Sequence, residues 1–140
     1  MIDIEADVFD AVYNALCLSS ENLDDAVICG GELVGTYVPE PEAFPHVELR
    51  ELENIPNRQT ADSSTTEYTC IVTYEAQVYA LDKDQCRTIM AALDDTMRKL
   101  GFERREMQAI PNAADISIHR MEARYRAEVD HNKVIYRTAG

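Results

Sequence analysis

The chain has 140 residues and a mass of 15.8 kDa, which predicts a single domain, residues 1–140, with a hydrophobic core of its own. Hydrophobic residues make up 46% of the sequence, but no run of about 18 apolar residues occurs, so no membrane span is expected. The formal net charge of −13 argues against a basic surface that binds duplex nucleic acid.

A first helix is predicted over residues 3–18. Apolar residues recur every four positions from Ile4 to Leu16, and Asp3 stands where it can cap the helix. The same segment has acidic residues where an export signal needs basic ones, so no signal is expected. The four cysteines are widely spaced and form no CxxC pair, which favours reduced thiols in a cytoplasm over a zinc site.

The next part of the chain is predicted to alternate between loops and strands. Residues 19–42 are acidic and contain glycine and proline, which predicts a loop with one short strand at 32–37. Residues 44–52, FPHVELREL, predict a strand with Val47 and Leu49 on one side. Residues 54–65 are polar and turn-rich, and we expect them to form a projecting hairpin or loop.

The strongest predicted strand is TEYTCIVTYEAQVYAL, residues 66–81. Its apolar face is Tyr68, Cys70, Val72, Tyr74, Ala76, Val78 and Ala80. The opposite face carries Thr69, Thr73, Glu75 and Gln77. At ~3.3 Å per residue the strand would be ~50 Å long, so we expect it to reach past the body of the domain.

A second helix is predicted from Asp82 to Gly101. Asp82 is placed as the N-cap, with Gln85 at the N3 position of a capping box. An apolar stripe runs from Cys86 to Leu100 and predicts that the helix covers one face of a sheet. Gly101 is placed as the left-handed terminator.

Two further strands are predicted after this helix. Residues 102–110 suggest a return strand, and residues 116–130 a second long one. Ile116 and Ile118 have the opposite parity to the apolar residues from Met121 onward, so a bulge is expected near His119 or Arg120. Residues 131–137 predict either a turn with a closing strand or a tail that pairs elsewhere.

The predicted fold class is therefore α+β. The order of elements indicates a mixed, largely antiparallel sheet, with two main helices packed on one face. A projecting β-hairpin or loop is added by residues 54–65.

Residue patterns that carry catalysis are missing from the sequence. The three histidines are scattered, no GxSxG frame surrounds Ser63 or Ser64, and the glycines of ICGGELVG precede no lysine and helix. The sequence thus predicts a protein that is not an enzyme, with no catalytic residues, metal or cofactor. The sequence has seven tyrosines, and a tyrosine suits partly hydrated interfaces because its ring is apolar and its hydroxyl is polar. They favour a protein-binding role.

Charge is divided unevenly along the chain. Residues 1–97 hold 20 acidic and 4 basic residues, a net −16, whereas residues 98–140 hold 6 acidic and 9 basic residues, a net +3. Two interpretations stay open. Either the contrast is folded into ion pairs within one subunit, or the basic strand region of one subunit meets the acidic region of its neighbour.

Several blocks of the sequence resemble the tail terminator (tail completion) proteins of long-tailed bacteriophages and prophages. They are FPHVELRELEN, TYEAQVYALDKDQC with the helix after it, LGFERRE, IPNAADISIHRMEARYRAEVD and IYR. The resemblance implies a structural protein of the virion tail or neck that is made in the bacterial host cytoplasm. It implies a ring, expected as a hexamer, that caps the tail tube, ends polymerisation and offers a head-joining surface.

The partners implied by the resemblance are further copies of the chain, the tail tube protein and head–tail connector proteins. DNA would pass through without specific binding, which an acidic lumen favours because it repels phosphate. The first alternative is a head-completion, connector or minor capsid protein at the same joint. The second is a small ligand-binding or regulatory α+β domain with an apolar pocket.

Two candidate contact surfaces follow from the ring hypothesis. A closed ring repeats one contact between unlike patches. For the subunit interface we predict Arg120, Arg124 and Arg126 on one side and Glu48, Glu51 and Glu53 on the other. For contact with the tail tube or the connector we predict Asn57, Arg58, Gln59 and Asp62 in the projecting loop.

Overall fold

The computed structural model describes residues 1–18, 32–36, 38, 41, 44–56, 69–111 and 115–136. Most of the predicted loop 19–42 lies outside these residues. So does the predicted projecting loop beyond Pro56, with its candidate contact residues Asn57, Arg58, Gln59 and Asp62.

Two helices and six strands make up the described part of the chain. The helices are α1 (Glu5–Tyr13), which continues as a π-helical turn (Asn14–Leu18), and α2 (Lys83–Leu100). The strands are β1 (Glu32–Val34), β2 (His46–Pro56), β3 (Thr69–Ala80), β4 (Glu103–Pro111), β5 (His119–Asp130) and β6 (Ile135–Tyr136).

The strands form one mixed sheet in the order β1-β2-β3-β5-β4, and β6 also pairs with β5. The β1–β2 pair is parallel and every other pair is antiparallel. The predicted α+β class, with a largely antiparallel mixed sheet, is confirmed.

The centre of the sheet is an unbroken antiparallel ladder between β3 and β5, from Thr69 opposite Asp130 to Ala80 opposite His119. Because side chains alternate, one face of this ladder is apolar. These buried core-face residues are Cys70, Val72, Tyr74, Ala76, Val78, Ala80, Met121, Ala123, Tyr125, Ala127 and Val129. The predicted alternation of β3 is confirmed. We call the opposite side the outer face.

Helix α2 packs on the core face as its stripe predicts, and it buries Cys86, Ile89, Met90, Leu93 and Met97. The predicted cap is confirmed, since Asp82 accepts a hydrogen bond from the Asp84 amide at 3.1 Å. Gly101 ends the helix in the left-handed region with φ 111°.

A polar contact fastens α2 to the sheet below it. The Tyr125 hydroxyl donates to Asp94 Oδ1 at 2.8 Å, and Arg104 Nη1 lies 3.3 Å from Asp94 Oδ2. Burial, and then the bond to Asp94, raise the pKa of Tyr125, so this hydroxyl stays a donor.

Helix α1 contributes Val8 and Val12 to the same core. Asp3 Oδ1 accepts from the Glu5 amide at 3.1 Å, although Ile4 occupies the N-cap position. The Asn54 side chain of β2 donates to the Ile2 carbonyl at 2.7 Å and ties the start of α1 to that strand.

The prediction of a bulge near His119 or Arg120 was wrong. Strand β5 begins at His119 and keeps its register with β3 throughout, while Ile116 lies in the preceding turn. Asp115 holds that turn by accepting from the Ser117 amide at 2.9 Å and from its hydroxyl at 2.6 Å. The parity conflict therefore disappears, because the early isoleucines are not in the strand.

Register shifts occur in two other strands, between Glu51 and Glu53 of β2 and between Arg104 and Glu106 of β4. After β5 the chain turns on Asp130, whose Oδ1 accepts from the amides of Asn132 and Val134. It then closes as β6, which confirms the first of the two predicted alternatives for residues 131–137.

Candidate assembly surface

Glu75 is the centre of an ion-pair network on the outer face. Arg50 of β2 donates to its Oε1 at 2.9 Å, and Arg124 of β5 donates to its Oε2 at 3.2 Å. Gln77 donates to Oε1 at 2.7 Å, and Glu75 is only 5% exposed. Burial raises the pKa of this carboxyl, but the hydrogen bonds from Gln77 and Arg50 and the charges of Arg50 and Arg124 outweigh it, so the pKa is lowered.

Arg120 is fixed one row further along the same face. Its Nε and Nη2 donate to Gln77 Oε1 at 3.0 and 2.6 Å. Its guanidinium lies 5.3 Å from the centroid of the Tyr79 ring, a cation–π contact. The Tyr79 hydroxyl donates to the same amide oxygen at 2.8 Å.

The structure places all three predicted interface arginines on the outer face of β5. Arg124 is engaged within the chain, by Glu75 and by Glu122 at 3.4 Å, while Arg126 lies opposite Thr73. Part of the charge contrast is therefore resolved inside one subunit. Whether these arginines also contact a neighbour stays a prediction.

The predicted glutamates do not form one patch. Glu48 is buried on the outer face, where it accepts from the Val38 amide. Glu51 lies opposite Tyr74 on the core side. Burial, and then the charges of Asp3 and Glu5, raise the pKa of Glu51. Of the three glutamates only Glu53, beside the register shift of β2, is fully on the surface.

A buried histidine joins β1 to β2 at the edge of the network. His46 is fully buried, its Nδ1 lies 2.6 Å from Glu32 Oε1, and its Nε2 lies 3.8 Å from Glu48 Oε1. This cluster links the two strands at the β1 edge of the sheet. It requires β1 and β2 to be adjacent, which the sequence pattern did not reveal.

A cavity of about 270 Å³ opens between the start of α2 and the adjoining ends of β4 and β5. We call it the cationic cleft. It is lined by Lys83, Cys86, Arg87, Ala109, Ile110, Pro111, Ile116, Ile118, His119, Arg120 and Met121. No carboxylate is among these residues, and burial raises the pKa of the Cys86 thiol to about 11, so its floor is neutral.

The sequence prediction missed this cleft because it assigned Ile116 and Ile118 to a strand. In the structure Ile116 is 91% exposed at the rim. An apolar residue in a polar turn was the available signal, since a large exposed apolar side chain often marks a contact.

A second, shallower groove of about 510 Å³ runs between α2 and β4. It shares Arg87 and Met121 with the cationic cleft, so the two are adjacent. Helix α2 therefore leaves part of the core side of β4 uncovered, and Ala109 is exposed there.

Within the described ranges, no group of three or more His, Cys, Asp or Glu side chains is arranged to hold a metal ion. Cys70 and Cys86 are free and buried. No helix in the part of the chain that the structure describes has the length and apolar character needed to cross a membrane.

The chain matches no protein-family model, and no curated protein matches it. Among solved structures it is similar to a chain of one described as "Virion of native gene transfer agent (GTA) particle". The match has a TM-score of 0.58 and 16% sequence identity, and it covers 86% of this chain and 92% of the other. At this identity the likeness establishes a shared fold.

Proposed function

We propose that the chain is a virion structural protein that assembles as a ring, expected as a hexamer, at the head–tail joint. The ring would cap the tail tube, end its polymerisation and provide the head-joining surface, with no catalytic role. The observation that carries this proposal is the fold shared with a chain of a gene transfer agent virion over 86% of this sequence. The sequence resemblance to tail terminator proteins supports the specific position.

The surface of the subunit supports assembly at its edges. Strand β4 has β5 as its only ladder partner among the described residues, and most of its side chains are exposed. Uncovered apolar surface of this kind is typical of contacts with another chain. The net charge of −13 suits a conduit through which DNA slides, because acidic walls repel phosphate.

The first alternative is a head-completion, connector or minor capsid protein at the same joint. The fold likeness supports a virion role equally for each of these positions. The decisive difference is the direct partner, the tail tube protein in the proposal and portal-side proteins in the alternative.

The second alternative, a small ligand-binding domain, has one observation in its favour, the cationic cleft. Its volume of about 270 Å³ lies below the roughly 300–1,000 Å³ of typical small-molecule sites. The cleft is also open at the rim through Ile116. Both features suit an inserted side chain better than an enclosed ligand.

Deletion of the coding sequence from a particle-producing strain tests the proposed position. We expect headless tails of uncontrolled length in electron micrographs, with normal tails restored by expression of the wild-type chain. Cross-linking in the complemented particles should join the chain to the tail tube protein. Tails of normal length and cross-links only to portal-side proteins would support the alternative and refute tail termination.

A further inference from the structure

The cationic cleft has the chemistry of a socket for an apolar side chain flanked by carboxylates. Its lower wall is apolar, with Ile110, Ile118 and Met121, while Lys83 and Arg87 stand exposed at the rim. Lys83 is the first residue of α2, where the helix dipole disfavours a cation.

The complementary chemistry is found on β2 of the same chain. The register shift between Glu51 and Glu53 places Leu52 outside the regular ladder, where it is 37% exposed. Bulges often redirect a side chain in this manner. We call residues 51–53 the acidic bulge. Glu53 is exposed on the outer face, opposite Thr73, while the charges of Asp3 and Glu5 at the start of α1 act on Glu51 on the core side.

The cationic cleft and the acidic bulge lie towards opposite edges of the sheet. The cleft is formed by β4, β5 and α2, whereas the bulge is on β2, with β3 between β2 and β5. Strand β1 pairs with β2 only as far as Glu48, so among the described residues the bulge has β3 alone as its ladder partner. The two surfaces cannot meet within one subunit.

We propose that the acidic bulge of one copy docks into the cationic cleft of the next, with Leu52 inserted and Glu53 beside Lys83 and Arg87. The contact joins unlike patches, so repetition generates a ring when the rotation closes. This inference rests on the proposed ring and assigns its interface. Leu52 and Ile116 supply the buried apolar contact, and the charges select the partner and orientation.

A reciprocal charge reversal tests the contact. One variant carries Lys83→Glu and Arg87→Glu, and the other carries Glu5→Lys and Glu53→Lys. Each variant alone places like charges at every contact, so we expect at least a tenfold loss of oligomer affinity by light scattering. Mixed in equal amounts, the two should co-assemble, because each reversed patch then meets its opposite.

The control reverses one exposed charge at the far end of the same helix, with Lys99→Glu. It should assemble like wild type. Thermal melting monitors folding, and Glu53→Lys alone replaces the double variant if Glu5→Lys weakens α1. Leu52→Ala should weaken assembly without changing the melting temperature.

The outcomes separate this interface from the ring itself. An oligomeric wild type with oligomeric charge-reversed variants would overturn the assigned contact and leave the ring intact. If the charge-reversed variants stay oligomeric but no longer bind to particles, the assigned contact is overturned and the cleft receives another virion protein. A wild type that is monomeric at every concentration would refute both the ring and the contact.

Discussion

Strands β3 and β4 are both long, and both lie against β5, yet their surroundings are opposite. On β3 every residue from Tyr74 to Ala80 is buried, including Glu75 and Gln77 of the outer face. On β4 no residue is fully buried and most are exposed, on both faces. The centre of the sheet is therefore buried by the chain itself, while the β4 side is exposed.

This difference shows why charge on a strand does not by itself mark an interface. The outer face at β3 carries charged side chains, but Arg50 and Arg124 pair with Glu75 there, and Arg124 also pairs with Glu122. Isolated surface ion pairs contribute only about 0–1 kcal/mol, and this network is partly buried. The cationic cleft, in contrast, holds cations with no carboxylate among its lining residues.

The largest expected loss of stability comes from creating a cavity between α2 and the buried centre of the sheet. Leu93 of α2 is fully buried, so Leu93→Ala should lower the free energy of unfolding by about 2–5 kcal/mol in urea titrations. The matched control is Leu81→Ala, because Leu81 is 59% exposed, and its cost should stay within about 0.5 kcal/mol. Equal losses at both sites would contradict the assignment of the core.

The comparison of β3 with β4 is sharpened by one substitution on each strand. Glu75→Gln removes the charge shared by Arg50 and Arg124 and should cost about 1–2 kcal/mol, after allowance for the partly exposed arginines. The same change at exposed Glu106 of β4 should cost less than about 0.5 kcal/mol. A larger loss of stability at Glu106 than at Glu75 would contradict this contrast between β3 and β4.

The pH dependence of the Glu75 contribution has a defined sign. Its folded pKa is lowered, so this stability is fully present above the unfolded pKa of about 4.3 and is lost as pH falls through the folded value. Denaturation of wild type and Glu75→Gln should therefore converge in acid. A gap between them that persists below the folded pKa would argue against the ionised network.

An effect of similar size is expected where α2 passes into β4. Gly101 has φ 111°, and an added Cβ would lie 3.0 Å from the Ile135 carbonyl oxygen, so Gly101→Ala should cost about 1–2 kcal/mol. Gly35→Ala is the control, because its Cβ would meet only ordinary contacts at 3.8 Å from Phe9. Thermal melting of both variants decides whether the left-handed turn is required.

The smallest effect is expected at the start of α2, next to the cationic cleft. Asp82→Ala removes the side-chain acceptor of the Asp84 amide and should cost about 1 kcal/mol. In thermal melting, Lys83→Glu should leave stability unchanged or raise it slightly, because the helix dipole favours an acidic residue in the first turn. A destabilised Lys83→Glu variant would show that Lys83 supports the fold.

Much of the fold could be predicted from local sequence patterns. The alternation of β3, the stripe of α2, the Asp82 cap and the Gly101 terminator are encoded within a few neighbouring residues, and each is confirmed. The start of β5 was predicted wrongly because Ile116 alternates like a strand residue, although Asp115 holds it in a turn.

The candidate site was less predictable because its parts are distant in sequence. The pairing of Arg124 with Glu75 depends on β3 lying beside β5, which is a matter of strand order. The cationic cleft likewise joins the start of α2 to a turn about thirty residues later. Neither follows from spacing along the chain.

The central claim is that copies of the chain close into a ring without any other protein. Native mass spectrometry of the purified chain over a concentration series tests it most directly. The account predicts one dominant closed oligomer, expected at the mass of a hexamer, that gains population as concentration rises. A monomer at every concentration, or an open series of sizes with no preferred end, would contradict it.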